Sequence, residues 1–425
     1  MTQTRSEADE LLASLASPEC GEDPYPVYAR LRELGPAHRS PSAVFLTSYE
    51  ACAAVTRDPD FHAQSPEWHD RMAPGWRDHP AKVATFEAML FRDPPVHTRL
   101  RRLVGATFTP RQAEAMREQV AALAGRALDA LADAGAGGGP VNLQHILAGS
   151  MPISVIATLV GVPAADWGAL QSAMSALLEV AELGTSAQQL GRANAAALAL
   201  HAYFLGLAAD RRASPREDLA SALARLVRPE PDGAAGAAAG TAGSGDPAGT
   251  WLTENELAQM LTFVFMAGVD TMINMLTNGT AALLANPAQA DALRADPGLA
   301  PRAVDEILRY DPPVQYVGRV AARDTTVAGL SVPADGLVIA MLGSASRDPA
   351  RFAGPETFDV SRTGTTVLSF GGGIHYCLGA PLARLEAGAF FPALLARFPR
   401  LQGAGEPRRR GLVFRGFSDL PVAIS

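Results

Sequence analysis

One cysteine of the chain stands in a setting typical of a metal ligand. Cys377 lies in FGGGIHYCLGAPLAR, residues 370–384, after three consecutive glycines and a histidine. A thiolate binds metals, but it is costly to bury without a partner. Glycines let backbone N–H groups approach the sulfur, and the helix predicted to follow would direct its positive end at it. The stretch predicts a buried but accessible thiolate bound to iron; a glycine-rich turn beside a structural cysteine is the alternative.

An acid and an alcohol stand side by side in AGVDT, residues 267–271. The carboxyl group of Asp270 can carry protons inward from solvent, and the hydroxyl group of Thr271 can hydrogen-bond an oxygen ligand or a water molecule. The plainer interpretation makes Asp270 a solvated helix residue and Thr271 a threonine bonded to its own helix backbone. Taken alone, the pair is better explained by the plainer interpretation.

Two further pairs have helical spacing. Glu306 and Arg309 in EILR are three residues apart and can form an ion pair on one helix, although an exposed pair of this kind contributes little. His97 and Arg101 in DPPVHTRLRRLV, residues 93–104, are four apart and therefore share a helical face.

The segments that must position these residues are mostly helical. Alanine- and leucine-rich stretches with helical periodicity cover 111–135, 151–228, 253–286 and 380–398, and short strand-like stretches cover 43–47, 325–333 and 336–342. Residues 229–250 are rich in glycine, proline and small side chains, which predicts a flexible surface loop, with a domain linker as the alternative. The predicted fold class is mainly α with a smaller β region.

Asp270 and Thr271 lie on the longest predicted helix. Thr253 and Glu256 form a capping-box start and Pro287 marks the end, so the helix would run for about 33 residues, or roughly 50 Å. It is apolar on most faces and should therefore cross the middle of the molecule. An ionisable residue on such a central helix calls for a functional explanation.

The composition excludes several classes of protein. The 425 residues carry a formal net charge of −8, so no broad basic surface invites nucleic acid or an anionic membrane. The three cysteines are far apart and form no CxxC pair, which argues against structural zinc and against a disulfide framework. The polar N-terminus lacks a signal core, and the apolar stretch 260–268 is too short to span a bilayer. We expect a soluble, reduced, cytoplasmic protein.

Together the motifs resemble those of the cytochrome P450 family. Six residues match its cysteine-ligand loop: Phe370, Gly371, Gly373, His375, Cys377 and Gly379. The stretch AGVDT is similar to the family's oxygen-activation motif, and EILR is similar to its ExxR motif. The resemblance runs from residues 23–36 to residues 415–422. It implies one haem-thiolate domain over residues 1–425, triangular and two-lobed, with a long central helix.

The resemblance also implies roles for individual residues around haem b. Cys377 would bind the iron, and Phe370, Gly371 and Gly379 would shape its surroundings. The two propionates would be held by a cationic set, His97, Arg101, Arg319 and His375. Ala267 and Gly268 would leave room for the flat cofactor, and Asp270 and Thr271 would deliver protons. Glu306, Arg309 and Arg362 would have a structural role in locking the cysteine loop.

The implied activity is that of a monooxygenase that inserts one oxygen atom of O2 into a small molecule, most simply by hydroxylation. No flavin or iron–sulfur domain is visible, because the cysteines are too few for a cluster and the glycine-rich tract lacks the strand–GxGxxG–helix context. Electrons would come from a ferredoxin and its NAD(P)H-dependent reductase, docking near Arg99, Arg102 and Arg384 on a monomer. No nucleic acid or membrane partner is expected.

The substrate is predicted only as a class. Seven candidate contact residues are mostly apolar: Leu90, Phe91, Val264, Ala267, Val314, Val317 and Phe417. They suggest a medium or large apolar molecule, and the resemblance favours tailoring of a polyketide, a macrolide or another secondary metabolite. Epoxidation, dehydrogenation and oxidative coupling are the alternatives within the same chemistry. A non-catalytic haem-binding sensor or scaffold is the alternative from another class, and the adjacent acid and alcohol argue against it.

Overall fold

The structure is a computed structural model and describes residues 6–182, 185–228 and 250–424. The helices in the described residues are α1 (Glu7–Ser14), α2 (Pro18–Glu22), α3 (Tyr25–Leu34), α4 (Tyr49–Val55), α5 (Pro66–Met72), α6 (Pro80–Phe86), α7 (Val96–Gly105), α8 (Pro110–Ala115), α9 (Arg117–Gly135), α10 (Leu143–Ala148), α11 (Met151–Val160), α12 (Trp167–Leu178), α13 (Ala187–Ala213), α14 (Leu219–Ala224), α15 (Glu254–Ala285), α16 (Pro287–Ala295), α17 (Ala300–Tyr310), α18 (Leu342–Ala345) and α19 (Ala380–Arg397). Short 3-10 helices cover Trp76–Asp78, Met89–Phe91, Ala164–Asp166, Glu179–Ala181, Pro297–Leu299 and Gly373–His375.

The strands are few and short, and they confirm the predicted fold class of mainly α with a smaller β region. They are β1 (Ala37–Arg39), β2 (Val44–Leu46), β3 (Phe61–His62), β4 (Val141–Asn142), β5 (Tyr316–Ala321), β6 (Thr325–Val327), β7 (Leu330–Val332), β8 (Leu337–Met341), β9 (Gln402–Gly403), β10 (Arg408–Arg410), β11 (Gly416–Asp419) and β12 (Pro421–Ala423). The predicted loop 229–250 falls outside the described residues except for its last residue.

The predicted long helix is α15, which has 32 residues. Its start is a capping box: the Glu256 N–H donates to the Thr253 hydroxyl at 3.1 Å, and the Thr253 N–H donates to the Glu256 carboxylate at 3.0 Å. The helix ends at Ala285, and the next helix begins at Pro287. The start of α15 at the Thr253–Glu256 capping box and its end before Pro287 therefore agree with the bounds that the sequence predicts.

Helix α15 joins the two largest core clusters. Its C-terminal half, including Met272 and Leu276, packs with α17 and α19. Its N-terminal half, including Leu261 and Val264, packs with α11, α12 and α13. Residues 270–271 thus lie where the two clusters meet, which places the acid and the alcohol in the middle of the molecule.

Two described segments pass a length and composition test for crossing a membrane, Leu143–Val160 and Glu254–Ala285. In the fold, 56% and 72% of their apolar windows are buried inside the protein. The apolar character of α15 is therefore accounted for by the core that surrounds it.

A five-stranded sheet has the order β1-β2-β8-β5-β3. Strand β2 pairs with β8 in parallel, and the other neighbours pair antiparallel. Strand β5, which the periodicity of the sequence did not predict, holds Arg319 opposite Val338 of β8. The pairing with β8 therefore fixes the backbone of one predicted propionate partner.

One carboxylate ties the connection between α12 and α13 to the C-terminal region. Glu182 follows the 3-10 helix Glu179–Ala181. Its two oxygens accept three backbone N–H groups at 2.9, 3.0 and 2.8 Å, those of Leu412, Val413 and Phe414. Successive N–H groups that converge in this way form a small anion site built from backbone. We call this contact the Glu182 clasp.

Candidate haem and active site

The loop that carries Cys377 is shaped by glycines in the left-handed region. Gly371 and Gly373 have φ angles of +70° and +61°, which favour glycine. A Cβ atom at position 373 would also lie 2.8 Å from the carbonyl oxygen of Thr56. The Cys377 N–H donates to the Phe370 carbonyl oxygen at 2.8 Å and closes the loop. The backbone therefore holds the cysteine directly ahead of α19.

The surroundings of the Cys377 sulfur act on its pKa in opposite directions. Burial raises the pKa of its thiol. The N–H groups of Gly379 and Ala380 at the start of α19 oppose this effect, as do the guanidinium groups of Arg101 and Arg384. A cation bound at the sulfur would add to these groups and complete the stabilisation of the anion.

The other two cysteines are packed structural residues. Cys52 donates to the Leu46 carbonyl oxygen at 3.2 Å, and burial raises the pKa of its thiol to about 12. Cys20 is also buried, whereas Cys377 is partly accessible. Within the described residues, no group of three or more His, Cys, Asp or Glu side chains is placed to hold a metal ion. A metal at Cys377 must therefore bring most of its ligands with it, as the iron of haem does.

The structure brings the four predicted propionate partners together. The rings of His97 and His375 lie 4.3 Å apart between their centroids. Burial, together with the positive charges of Arg101 and Arg319, lowers the pKa of His97 to about 4 and that of His375 to about 3. The four side chains form one partly buried cationic pocket, contributed by α7, β5 and the cysteine loop.

This cationic pocket has unused hydrogen-bonding capacity. Within the described residues, His97 Nδ1 and His375 Nε2 are buried and have no hydrogen-bond partner. Among the residues that the structure describes, the buried Arg319 side chain has one hydrogen bond, to the adjacent Gly318 carbonyl oxygen, and burial lowers the pKa of its guanidinium to about 10. Buried cationic and polar groups are costly without partners. The pocket fits a ligand that carries two carboxylates, such as haem with its propionates.

Space beside the sulfur is left open by Gly379. Its φ angle of −82° suits any residue, and a Cβ atom there would meet nothing within 4 Å among the described residues. Neither backbone strain nor a protein neighbour accounts for a glycine at this position. The residues present therefore fit haem: Cys377 would bind the iron, and the cationic pocket would hold the carboxylates.

One face of α15 is accessible in the middle of the molecule. Ala267 is exposed although its neighbours Phe265 and Val269 are buried. Thr271, one helical turn later, is also partly accessible, and its hydroxyl group donates to the Ala267 carbonyl oxygen at 2.6 Å. The donor is therefore in use, as in the plainer interpretation of this threonine, and the oxygen lone pairs can still accept a hydrogen bond from a ligand.

Gly268 does not face this open space, and the expectation that it makes room for the cofactor is wrong. A Cβ atom at Gly268 would lie 2.8 Å from the side chain of Ile156 on α11. The glycine is needed for close packing between α11 and α15. Helical geometry explains the difference, because adjacent residues on a helix point about 100° apart.

Asp270 is buried and held by an arginine from the C-terminal region. Arg410 Nη2 lies 3.1 Å from Asp270 Oδ1, and the Ser175 hydroxyl group of α12 donates to the same oxygen at 3.4 Å. Burial raises the pKa of Asp270, and the charge of Arg410 opposes that shift. The second carboxyl oxygen, Oδ2, is buried without a hydrogen-bond partner among the described residues. The acid is thus not the solvated helix residue of the plainer interpretation.

Glu306, Arg309 and Arg362 form a buried ion cluster. Arg309 donates to both oxygens of Glu306, at 2.7 and 2.8 Å, and Arg362 Nε donates to Glu306 Oε2 at 3.0 Å. Arg309 also donates to three backbone carbonyl oxygens, those of Ser346, Pro355 and Thr357. The cluster therefore ties α17 to the irregular segment that precedes the cysteine loop.

The predicted substrate residues divide into two groups. Five are at least partly accessible: Leu90, Phe91, Ala267, Val314 and Val317. Val264 and Phe417 are only 5% and 2% exposed and belong to the hydrophobic core, with the Arg409 guanidinium 3.7 Å from the centre of the Phe417 ring. We correct the expectation for these two residues, because an apolar side chain on α15 or β11 is equally suited to core packing and to a substrate contact.

Two of the predicted docking arginines are less available than the sequence suggests, whereas Arg102 is exposed. Arg99 is mostly buried and pairs with Glu256, and Arg384 pairs with Asp305 at 2.7 Å. Next to the cysteine loop, however, a cavity of about 430 Å³ is lined in part by Arg57, Arg384 and Tyr376. Arg57 and Arg384 thus place positive charge around this cavity.

Sequence reasoning missed Arg410 and Glu182. Each makes its contact across a long separation, 140 residues for Arg410 with Asp270 and 230 residues for Glu182 with Leu412. The only signal in the sequence was the run of three arginines at 408–410, and it carries no information about a partner.

Comparison with known proteins agrees with this site. The family model of the cytochrome P450s matches residues 298–409. The chain is 37% identical to cytochrome P450 monooxygenase PikC of Streptomyces venezuelae, over 89% of this chain and 85% of that protein. It is 33% identical to the polyketide biosynthesis cytochrome P450 PksS of Bacillus subtilis, over 96% and 97% of the two chains. It is 34% identical to the 6-deoxyerythronolide B hydroxylase of Saccharopolyspora erythraea, over 95% and 96%.

Solved structures give the same result. The crystal structure of P450BioI in complex with an acyl carrier protein that carries hexadec-9Z-enoic acid superposes with a TM-score of 0.84. The match has 31% identity and covers 96% of this chain and all of that chain. Relatives that span nearly the whole chain, a shared fold, and a thiolate loop beside an open cationic pocket lead to one conclusion: the chain belongs to the cytochrome P450 family and is a haem-dependent monooxygenase.

Proposed function

We propose that the enzyme uses haem b to hydroxylate a medium or large, mostly apolar small molecule, a secondary metabolite of the polyketide or macrolide type. The observation that carries this proposal is the open face of α15 at Ala267 and Thr271, with the apolar residues Leu90, Phe91 and Val317 also accessible. The relatives named for polyketide biosynthesis and for a hydroxylase support the substrate class and the reaction.

Four parts of the site would have separate roles in the reaction: Cys377, the cationic pocket, Thr271 and Asp270. When bound, haem supplies the oxidation of C–H bonds by O2, with thiolate ligation favouring O–O cleavage. Cys377 would provide that thiolate, which the N–H groups of Gly379 and Ala380 help to stabilise against the effect of burial. The cationic pocket orients the cofactor through its carboxylates. Thr271 accepts a hydrogen bond at its oxygen, and Asp270 holds or releases a proton at Oδ2.

Replacing Thr271 with alanine should uncouple NAD(P)H use from product formation. The hydroxyl group is the polar atom on the open face of α15, and positioned proton transfer contributes roughly 10²–10⁴-fold to a rate. The measurement is the product formed per NAD(P)H consumed. Thr280→Ala is the matched control, because Thr280 makes the same bond to its own helix, at 2.8 Å to the Leu276 carbonyl oxygen, but is fully buried. Tight coupling in Thr271→Ala would contradict the role given to Thr271.

The substrate class is tested by difference spectroscopy across a panel of metabolites. A compound that displaces water from the haem shifts the spectrum to the high-spin form, and no reductase is needed. We expect polyketide and macrolide lactones to give this shift at lower concentrations than fatty acids or camphor-sized molecules. A response to fatty acids alone would overturn the proposed class.

Two other functions lead to different observations. Epoxidation and hydroxylation both add one oxygen atom, so NMR of the product distinguishes them, whereas dehydrogenation removes two hydrogens and coupling joins two molecules, which product mass detects. A haem-binding sensor or scaffold would need no group that moves protons. Asp270 is buried, with one oxygen paired to Arg410 and the other without a partner in the described part of the chain, and this arrangement favours a catalytic function.

We further propose that a ferredoxin and an NAD(P)H-dependent reductase supply the electrons to a cytoplasmic, monomeric protein with one catalytic domain. The cavity beside the cysteine loop supports this docking site, because Arg57 and Arg384 line it. An acidic protein is attracted to such a basic concavity in spite of the net charge of −8.

A further inference from the structure

We propose that Arg410 is a positioning residue that fixes the carboxylate of Asp270 and links it to the protein surface. The proposal rests on the proposed proton-transfer role of Asp270 and adds a residue from the C-terminal region to that function. Arg410 lies on β10, whereas Asp270 lies on α15.

The geometry of the pair connects the core to the solvent. The Asp270 side chain is 3% exposed, whereas the Arg410 side chain is 34% exposed. Arg410 Nη2 contacts Asp270 Oδ1 at 3.1 Å and Asn274 Oδ1, one helical turn further along α15, at 3.4 Å. The guanidinium group thus spans two successive turns of the helix and fixes the rotamer of the acid.

Hydrogen bonds leave one side of the carboxyl group available. Oδ1 accepts from Arg410 and from the Ser175 hydroxyl group. Among the described residues, Asp270 Oδ2 and Arg410 Nε are buried and have no partner. An arginine cannot take up a proton, so it can hold one oxygen while the other exchanges a proton. Oδ1 of Asp270 is therefore held in place by Arg410, and Oδ2 is available to exchange a proton.

The backbone around Arg410 is itself fixed. Its neighbour Arg409 pairs with the buried Asp311 at 2.8 Å. Gly411 has a φ angle of +68°, and a Cβ atom there would lie 2.8 Å from Glu182 Oε1. The Glu182 clasp then holds the next three N–H groups. Arg410 is anchored on both sides, as expected of a side chain that positions another group.

Electrostatics agree with this arrangement. Burial raises the pKa of Asp270 and so favours the neutral acid. The charge of Arg410 and its hydrogen bond lower that pKa and favour the carboxylate, as does the hydrogen bond from Ser175. Removing the guanidinium would leave a buried carboxyl group with one neutral partner, so Asp270 should take up a proton.

The test uses infrared spectroscopy of the haem-loaded protein at neutral pH. We expect Arg410→Gln to show a new band of a protonated carboxyl group, absent from the wild type. The band should disappear in the double variant Arg410→Gln/Asp270→Asn, which assigns it to Asp270. Arg410→Lys keeps the charge and should not show it. Arg408→Gln is the matched control, because Arg408 lies on the same strand with an exposed side chain.

A second measurement separates this proposal from the proposed function. With a surrogate ferredoxin and reductase and no added substrate, the hydrogen peroxide released per NADPH should differ between Arg410→Gln and the wild type, because the protonation state of the acid that delivers protons has changed. Absence of the carboxyl band in Arg410→Gln would overturn the positioning role. A band with unchanged peroxide release would support that positioning role and would overturn the role of Asp270 in proton delivery.

Discussion

Replacing Cys377 with alanine should abolish the red-shifted Soret band that a thiolate ligand gives to the reduced, CO-treated protein. Cys377 is the partly accessible cysteine, and the N–H groups of Gly379 and Ala380 point at its sulfur. An alanine leaves neither a ligand nor a charge at that position, so the expected loss is complete. The measurement is the CO difference spectrum, together with the haem content of the purified protein.

The controls for this prediction are Cys20→Ala and Cys52→Ala. Both cysteines are buried, and Cys52 already donates its S–H to a backbone carbonyl oxygen. Both variants should keep the thiolate-type band. A red-shifted band in Cys377→Ala, or its loss in either control, would show that the iron ligand has been assigned to the wrong residue.

Glu306→Gln should have the second-largest effect, on stability. The change is nearly isosteric, but it leaves the guanidinium of Arg309, which is 0% exposed, and that of Arg362 without the carboxylate that both contact. Removing one partner of a buried ion pair costs about 3–5 kcal/mol. We expect a large fall in the thermal midpoint and loss of haem on mild heating, measured by circular dichroism and Soret absorbance.

An exposed pair provides the comparison. Glu7 contacts Arg30 at 2.6 Å, a distance similar to that of Glu306 and Arg309, but both side chains are about half exposed. Glu7→Gln should leave the midpoint unchanged, because solvent replaces the lost contact. Equal shifts in the two variants would mean that burial of the ExxR pair does not determine its contribution.

The sequence predicted the features that depend on local spacing. The capping box at Thr253 and Glu256 placed the start of α15, and the motif around Cys377 identified the loop whose glycines have positive φ angles. The helical spacing of His97 and Arg101 predicted that they share one face of a helix, and the family resemblance implied that this face holds the propionates. Such features are carried by a few adjacent residues, so one sequence is enough to identify them.

Features that depend on packing between distant segments could not be predicted. The direction that Gly268 faces is set by Ile156 of α11, and the burial of Phe417 is set by the β10–β11 hairpin and by the Arg409 side chain above it. The partner of Asp270 comes from 140 residues away. Residues 316–321 form β5 because they pair with β3 and β8. Their own sequence, YVGRVA, does not alternate clearly between apolar and polar residues, so it did not predict a strand.

The Glu182 clasp has a consequence for how freely this enzyme can vary. The carboxylate binds the N–H groups of residues 412–414 and not their side chains. Val413 and Phe414 can therefore be exchanged for other residues without loss of the clasp, except for proline, which has no N–H, whereas Leu412 is buried in the core and is constrained by its packing. The hydrogen bonds of the clasp do not themselves depend on which side chains these residues carry. Engineering could diversify this turn while the backbone that anchors Arg410 stays in place.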